Sequence, residues 1–489
     1  MRLSEKNLSR LPVKVQRPAY DRSRVVASIV HLGLGAFHRA HQAMFTDTVL
    51  ASGDLAWGIV GAGMQSSGMR DALTPQDDLY TVTEFGADSE KTRVVGAIVE
   101  VLGGAEDAEK IRLLARMSDA GTRIVSITVT EKGYYLDPAT GKLQLETPAI
   151  VADLANPAVP RTVPGLIVYA LRNRRAAGLP PFTVLSCDNL PNNGKLARAA
   201  VLAFAREVGA DLAAWIEAEV SFPCTMVDRI TPATTDADRA HVNGLLSMED
   251  AWPVVTEEFV QWVIEDRFTM GRPDWTLGGA VFSDEIERWE SMKLRCLNGS
   301  HSTLAYLGQL TGRETVAEAM QLPLITDILD ALWLENREVL LTPKGVDSAD
   351  YVEQLKRRFR NPALKHRTAQ IASDGSQKLP PRLLTPLRER IAAGRASPAI
   401  ATAIAAWMHF AVKTARTPGT VLNDPLAAEI LERAGRSVDA SDIVGDLLSS
   451  EKIFGQDLPA NTAFRAELLG KFVDLARNPA VATAEQIRV

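Results

Sequence analysis

At 489 residues the chain is too long for one compact core, and about two or three domains are expected. Hydrophobic residues make up 46% and charged residues 23%, the balance of an ordinary folded globular protein. A net charge of −6 argues against nucleic acid as the main partner, which would need a basic stripe to displace counterions. No apolar stretch approaches the roughly 20 residues that cross a bilayer, so no membrane partner is expected.

The opening segment, MRLSEKNLSRLPVKVQRPAYDRS, is basic but lacks the apolar middle of a secretion signal. Cys187, Cys224 and Cys296 are far apart and odd in number, which suggests neither a disulfide framework nor a zinc knuckle. A reducing, cytoplasmic setting is expected. In chain order, Ser28 to Leu32 reads as a buried strand that runs straight into a glycine turn. Ala56–Ala62 and Leu79–Glu84 read as the next strands, and Arg123–Thr130 as a fourth, β-branched one. A helix follows over about Pro164–Ala177, then a strand at Phe182–Cys187. This alternation predicts a parallel sheet covered by helices. From about Asp284 helical periods dominate, as in Leu297–Leu310 and Ala399–Thr414. The expected division is therefore residues 1–283, an α/β domain, and 284–489, a mostly α-helical one.

The turn HLGLGAFHRAHQ places Gly33 and Gly35 directly after the first strand. Bare glycine amides and the positive end of the next helix suit a pyrophosphate, so Gly33, Leu34, Gly35, Ala36, Phe37, His38 and Arg39 are the candidate dinucleotide contacts. The third glycine of the G-x-G-x-x-G pattern is replaced by His38, which requires a wider turn or a helix set further back. Arg39 is a candidate phosphate contact. No acidic residue stands in Gly61-Ala62-Gly63-Met64-Gln65-Ser66-Ser67, where one would select NAD against NADP. NAD is expected, and charge alone leaves NADP open. His31, His38 and His41 straddle a strand, a turn and a helix with no acidic ligand near, so no metal is expected.

A second constellation is E-S-M-K-L-R-C-L-N-G-S-H, Glu290 to His301. Lys293, Asn298 and His301 stand at i, i+5 and i+8, a spread of about 140° on an α-helix, enough to line one broad cavity. Oxidising an alcohol needs a base for the hydroxyl proton, and a buried lysine with a lowered pKa serves. Asparagine amides donate to a developing alkoxide. Asn189, in SCDNLPNNG, lies just past the carboxyl end of a strand, where open α/β sheets bind ligands. The competing class is a non-enzymatic dinucleotide-binding redox sensor. The lysine, asparagines and histidine argue against it, because a sensor needs no proton acceptor.

Taken together, Gly33 to Gln42 and the K-x-x-x-x-N-x-x-H helix resemble the mannitol dehydrogenase family, the polyol-specific long-chain dehydrogenases. TEKGY (Thr130–Tyr134), SCDNLPNNG (Ser186–Gly194) and DGSQKLP (Asp374–Pro380) extend the resemblance over most of the chain. It implies a Rossmann-type domain, a largely helical second domain and metal-free chemistry. By residue match, Lys293 would be the general base, Asn189 and Asn298 the oxyanion donors, His301 a substrate-orienting residue and Glu290 a gate for the lysine's proton. Asp228 and Lys378 match substrate-binding positions. Mannitol-oxidising members carry an arginine eight residues before that lysine, where this chain has Gln370. The stretch HRTAQIASDGSQKLP and the LNGSHS around Asn298 resemble fructuronate reductases (mannonate oxidoreductases) more. The resemblance thus implies an NAD-dependent oxidoreductase of carbohydrate metabolism acting on D-mannonate/D-fructuronate, with D-mannitol/D-fructose or a related pentitol as the alternative. The expected partner is a small sugar acid or polyol, and the oligomeric state is left open, a monomer included.

Overall fold

A computed structural model describes residues 1–137, 140–363 and 365–481. The chain divides into two compact units, Met1–Glu287 and Arg288–Val489, at a point inside the helix Ile286–Met292. Eleven strands, counted among the described residues, all lie in the first unit: β1 (Ala27–Leu32), β2 (Gly58–Gly63), β3 (Tyr80–Phe85), β4 (Glu90–Val95), β5 (Ile98–Gly103), β6 (Ile124–Ile127), β7 (Thr183–Ser186), β8 (Thr225–Asp228), β9 (Val254–Glu257), β10 (Gln261–Ile264) and β11 (Val281–Phe282).

Every residue of β1 after the first is buried. Alternate side chains leave opposite faces of a strand, so Val30 and Leu32 enter one core and Ile29 the other. Such two-sided burial is the signature of a parallel sheet, and β1 sits at its centre in the order β5-β2-β1-β6-β7, all parallel. Helices Val163–Ala176 and Asn193–Val208 close one face, with Leu166, Ile167, Val201 and Phe204 among the buried residues. Helix Gln42–Ala51 closes the other with Phe45, Val49 and Leu50. The strand order runs outward one way through β2 and β5, then resumes on the far side of β1 with β6 and β7. The reversal leaves a crevice above the carboxyl ends of β1 and β6, the place where such sheets bind ligands.

The Rossmann-type domain expected from the sequence is thus present, with one strand assigned differently. Leu79–Glu84 was expected in the parallel sheet. Its counterpart β3 pairs antiparallel with β4 and parallel with β9 in a separate three-stranded sheet. Thr81 and Thr83 explain the difference. Both are buried, and Thr81 donates from its amide and its hydroxyl to Asp250 at 2.7 Å each, while Thr83 bonds Thr92 at 3.0 Å. The vacant edge of the main sheet is filled by β5, whose Glu100 obscures its apolar run. A third small sheet has the order β11-β10-β8.

Among the described residues the regular elements of the second unit are all helices. Helix Pro398–Arg416 runs through it, packed against Gly299–Leu310, Pro323–Arg337, Ala427–Arg436 and Thr462–Arg477. Its Ile400, Ile404, Trp407, Met408 and Val412 are buried. Among the described residues no helix is long and apolar enough to cross a membrane. All three cysteines are free and buried.

Two glycines with nearly the same backbone separate strain from steric exclusion. Gly33 (φ 97°) and Gly53 (φ 103°) both lie in the left-handed region, but a Cβ on Gly33 would stand 2.1 Å from the Thr128 carbonyl oxygen, whereas one on Gly53 meets nothing within 4 Å. Gly53→Ala is expected to lower the free energy of unfolding by about 1 kcal/mol and Gly33→Ala by about 3 kcal/mol or more. Urea denaturation of the two variants side by side checks the difference. Equal losses would show that the Thr128 contact yields at no cost.

Candidate active site

At the carboxyl ends of β1 and β6 the first unit holds a cleft of about 690 Å³, lined by Gly33, Leu34, Gly35, the β2 end Gly63–Ser66, Val129, Thr130, Lys132 and Arg161, with Trp252 at its rim. Gly33 is held by a bond from its amide to the Ala62 carbonyl at 2.9 Å and accepts from the Thr128 hydroxyl at 2.9 Å. The Leu34 side chain packs where a Cβ on Gly61 would be, 2.7 Å away, so part of the close packing normally supplied by the third glycine of the turn is done by Gly61 of β2.

Four of the seven residues expected to touch a dinucleotide do not line this cleft: Ala36, Phe37, His38 and Arg39. Arg39 lies deepest of the four. Its guanidinium is fully buried, donates to the Trp252 carbonyl and lies 5.2 Å from the centre of the Tyr80 ring, and it does not line the cleft. Burial lowers its pKa to about 10. His38 stacks on His31 at 3.4 Å between ring centres. His31 bonds Ser126 at 2.8 Å and Thr128 at 2.9 Å, and burial pushes its pKa down to about 3, leaving it neutral. Among the described residues no three histidine, cysteine or acidic side chains are grouped as metal ligands.

Asp188 joins the TEKGY and SCDNLPNNG segments. Its carboxylate accepts from the Thr130 amide at 2.8 Å and the Tyr134 hydroxyl at 2.7 Å, and Tyr134 also contacts Ser186 at 2.6 Å. Burial raises the Asp188 pKa, and the bonds from Tyr134 and Thr130 offset part of that rise. Thr130 carries φ 66° and ψ 170°, a strained conformation for a β-branched residue, at the cleft wall. Asn193 and Gly194 of SCDNLPNNG are structural as well. Asn193 is buried and bonds the Asp188 and Thr225 carbonyls, both at 2.9 Å, and a Cβ on Gly194 would meet the Phe222 and Pro223 carbonyls at 2.6 Å. Asn189, just past β7, is exposed. Asp228 ends β8 and is buried. The next residue, Arg229, is paired with Glu84 and donates to the Ala40 carbonyl at 2.6 Å and the Glu257 carbonyl at 2.8 Å.

In the second unit Glu290, Lys293, Asn298 and His301 are all buried. Their spacing is not that of one regular α-helix. Lys293–Asn298 forms a π-helical segment between helices Ile286–Met292 and Gly299–Leu310. Bonding from i to i+5 widens the turn and lowers the rotation per residue below the 100° of an α-helix, so Lys293 and Asn298 lie closer in azimuth than the 140° spread of an α-helix. Side chains meet the carbonyls of the widened turns. Asn336 donates to Arg295 at 3.1 Å, Trp333 to Cys296 at 2.9 Å and Arg382 to Asn298 at 3.2 Å. His301 packs against Phe359 and His366 with ring centres 4.8 and 5.2 Å away, and its Nε2 has no hydrogen-bond partner among the described residues. Burial, then the charges of His366, Arg358, Arg382 and Lys293, hold His301 well below its ordinary pKa, so it is neutral.

The DGSQKLP turn is fixed from a distance. Asp374 (φ 55°) donates its amide to the Asn423 carbonyl at 2.8 Å, and Asp424 accepts from the Ser376 amide at 2.8 Å and hydroxyl at 2.5 Å. Lys378 donates to the Ile371 carbonyl at 3.1 Å and lies 3.8 Å from Asp374. Burial, then Arg382, lowers its pKa to about 8. Gln370, in the short helix Thr368–Ile371, is exposed. A second π-helical segment, Pro380–Leu384, follows directly. Pro380 and Pro381 supply no amide proton and cannot keep the i→i+4 ladder. Sequence reading missed Asp188, His366, Arg382 and Asp424. Asp188 and Arg382 lie inside or beside quoted motifs, but nothing local signals the role of Asp424, 48 residues from Ser376.

Comparison with known proteins agrees with this architecture. The mannitol dehydrogenase Rossmann domain model matches residues 27–277 and the mannitol dehydrogenase C-terminal domain model residues 285–475. The D-mannonate oxidoreductase of Escherichia coli K12 is 44% identical over 478 residues, 96% of this chain and 97% of that one. A mannitol 2-dehydrogenase of Cereibacter sphaeroides is 41% identical over 459 residues, 93% and 94% of the two chains. The solved Pseudomonas fluorescens mannitol 2-dehydrogenase, a ternary complex with NAD and D-mannitol, is 40% identical with a TM-score of 0.86, covering 98% of each chain. The chain belongs to the mannitol dehydrogenase family of oxidoreductases.

The Asp188 clamp is open to measurement. Tyr134→Phe removes one donor to a buried carboxylate and is expected to lower stability by about 1.5–3 kcal/mol. A chemical denaturation midpoint identical to that of the unsubstituted protein would show that Thr130 alone holds Asp188.

Proposed function

We propose that this chain is an NAD-dependent dehydrogenase that oxidises a secondary alcohol of a sugar acid and reduces the matching ketone, with D-mannonate/D-fructuronate as the favoured pair. The cleft of the first unit fits a dinucleotide. Its floor at Gly33 leaves no space for a side chain, it is lined by the cations Lys132 and Arg161, and none of its described lining residues is acidic. Gly33, Leu34 and Gly35 would hold the cofactor there. When bound, NAD supplies the hydride acceptor. Lys293 takes the hydroxyl proton, and Glu290, three residues before it and buried beside the same segment, passes that proton to water. Asn298 and Asn189 donate amide hydrogens to the developing alkoxide. Neutral His301 turns its unpartnered Nε2 to a substrate hydroxyl. Asp228 is assigned to the substrate pocket by the same motif match.

The observation that carries the choice of an acid is the gathering of cations in the second unit. Lys293, Arg358 and Arg382 all act on the His301 ring, and Lys378 stands one turn before Arg382 on the same helical run. A carboxylate entering a partly dry site needs such donors to replace its hydration. The second reading, D-mannitol/D-fructose, is favoured by the likeness to the mannitol complex and by Asp374, which partly neutralises Lys378. Gln370 would add a neutral amide to the acid site.

Lys293→Ala is expected to lower turnover by about two to four decades with NADH affinity nearly unchanged, as loss of a general base does. Pre-steady-state kinetics with a parallel NADH titration test this, and near-normal turnover would remove Lys293 from the role. Fructuronate should exceed fructose in kcat/KM by about 10²-fold, roughly 3 kcal/mol of discrimination. Lys378 is charged below about pH 8 and neutral above, so KM for the acid should rise above that pH while KM for fructose stays level. Equal use of both substrates at pH 7 would promote the polyol reading.

A further inference from the structure

The two π-helical segments of the second unit meet at Arg382. Its Nη1 donates to the Asn298 carbonyl at 3.2 Å and the Ser302 hydroxyl at 3.1 Å. Its own carbonyl lies 3.2 Å from where a Cβ on Gly299 would be, a close approach that glycine permits. A guanidinium carries five N–H donors, and these two bonds engage only one nitrogen. Nε and Nη2 have no acceptor among the described residues, and neither is sealed in the interior. No carboxylate among the described residues pairs with Arg382, and Lys378 stands one turn before it on the same helical run. Two cations thus stand one turn apart, with Asp374 3.8 Å from Lys378 and Asp424 acting on it from further off, and neither carboxylate is bonded to the Arg382 fork, an arrangement that leaves that fork free for an anion at work.

We infer that Arg382, together with Lys378, forms the fork that grips the carboxylate of the substrate and so selects sugar acids over neutral sugars. Arg382 offers the planar, two-pronged donor edge that matches a carboxylate, while Lys378 adds a point charge. Because Nη1 is bonded to the peptide of Asn298, the gripped end is held in register with the residue proposed to donate to the alkoxide. The inference rests on the acid reading given above and names the side chain that enforces it.

The test compares Arg382→Met, Arg382→Lys and Ser302→Ala with the unsubstituted enzyme, using fructuronate and fructose with NADH. NADH affinity from tryptophan quenching and far-UV circular dichroism report cofactor binding and folding. Arg382→Met should lose about 10²-fold in kcat/KM for fructuronate, mainly through KM, and less than about 5-fold for fructose. Arg382→Lys should fall between, since it keeps the charge and loses the fork. Added guanidinium ion should partly restore the Met variant towards fructuronate only. Ser302→Ala, which removes an anchor but no charge, should affect both substrates alike. Equal losses on both substrates in Arg382→Met would make Arg382 a structural strut and overturn the inference. So would a fructuronate-preferring parent whose preference survives Arg382→Met, a result that leaves the acid reading standing. A parent that prefers fructose would overturn both.

Discussion

The contact on which the first unit depends is between two backbones. β1 and β6 are neighbours, and the chain leaves their ends in opposite directions, so the residue after β1 must pass against the carbonyl of Thr128. Only a residue without a side chain fits, and the Thr128 hydroxyl then bonds back to the Gly33 carbonyl. From this point the cleft is built outward. Leu34 is pressed onto Gly61, the β2 end forms one wall, and the strained Thr130 turn forms the other, pinned by Asp188. The binding crevice is therefore a by-product of where the strand order reverses, and the side chains around it preserve the gap.

The second unit uses a different means. Lys293 and Asn298, proposed above to act on the substrate, sit where the helical ladder is widened, and the Arg295, Cys296 and Asn298 carbonyls there are met by side chains from elsewhere in that unit: Asn336, Trp333 and Arg382. The same substitutions of partner that hold the irregular backbone also concentrate positive charge, because one of those partners is an arginine. Burial keeps both nearby histidines neutral, so they contribute shape and a lone nitrogen rather than further charge.

The sequence was most legible where local pattern and tertiary role coincide. The buried runs at β1, β2, β6 and β7, the helix Val163–Ala176 and the helical character of the second half follow from periodicity alone. β5 was hidden because Glu100 interrupts its apolar run at the sheet edge, and β3 was misplaced because its alternation suits either sheet. At the site, Gly33 was readable because a glycine after a buried strand has few other uses. Arg39 was not placed by the sequence, since a cation beside such a turn carries no mark of the direction in which it points, and here it is buried against a carbonyl and a tyrosine ring. The π-helical winding at Lys293 was beyond a rule that assumes 100° per residue. Asp424 and Arg382 act through contacts 48 and 84 residues away in the chain, and no local signal encodes a partner at that distance.

The three enclosed cysteines have a practical consequence. Burial pushes the Cys187 and Cys296 thiols up, the latter to about 12, so thiolate is scarce at neutral pH and the sulfurs are shielded from solvent. Alkylating reagents and peroxide can reach them only when the surrounding structure opens. Cys187 and Cys224 lie at the ends of strands in the first unit and Cys296 in the widened helix of the second. The native chain thus carries its own set of opening reporters, two in one unit and one in the other. Rates of modification read at each sulfur give the local unfolding equilibria of the two halves without any engineered label.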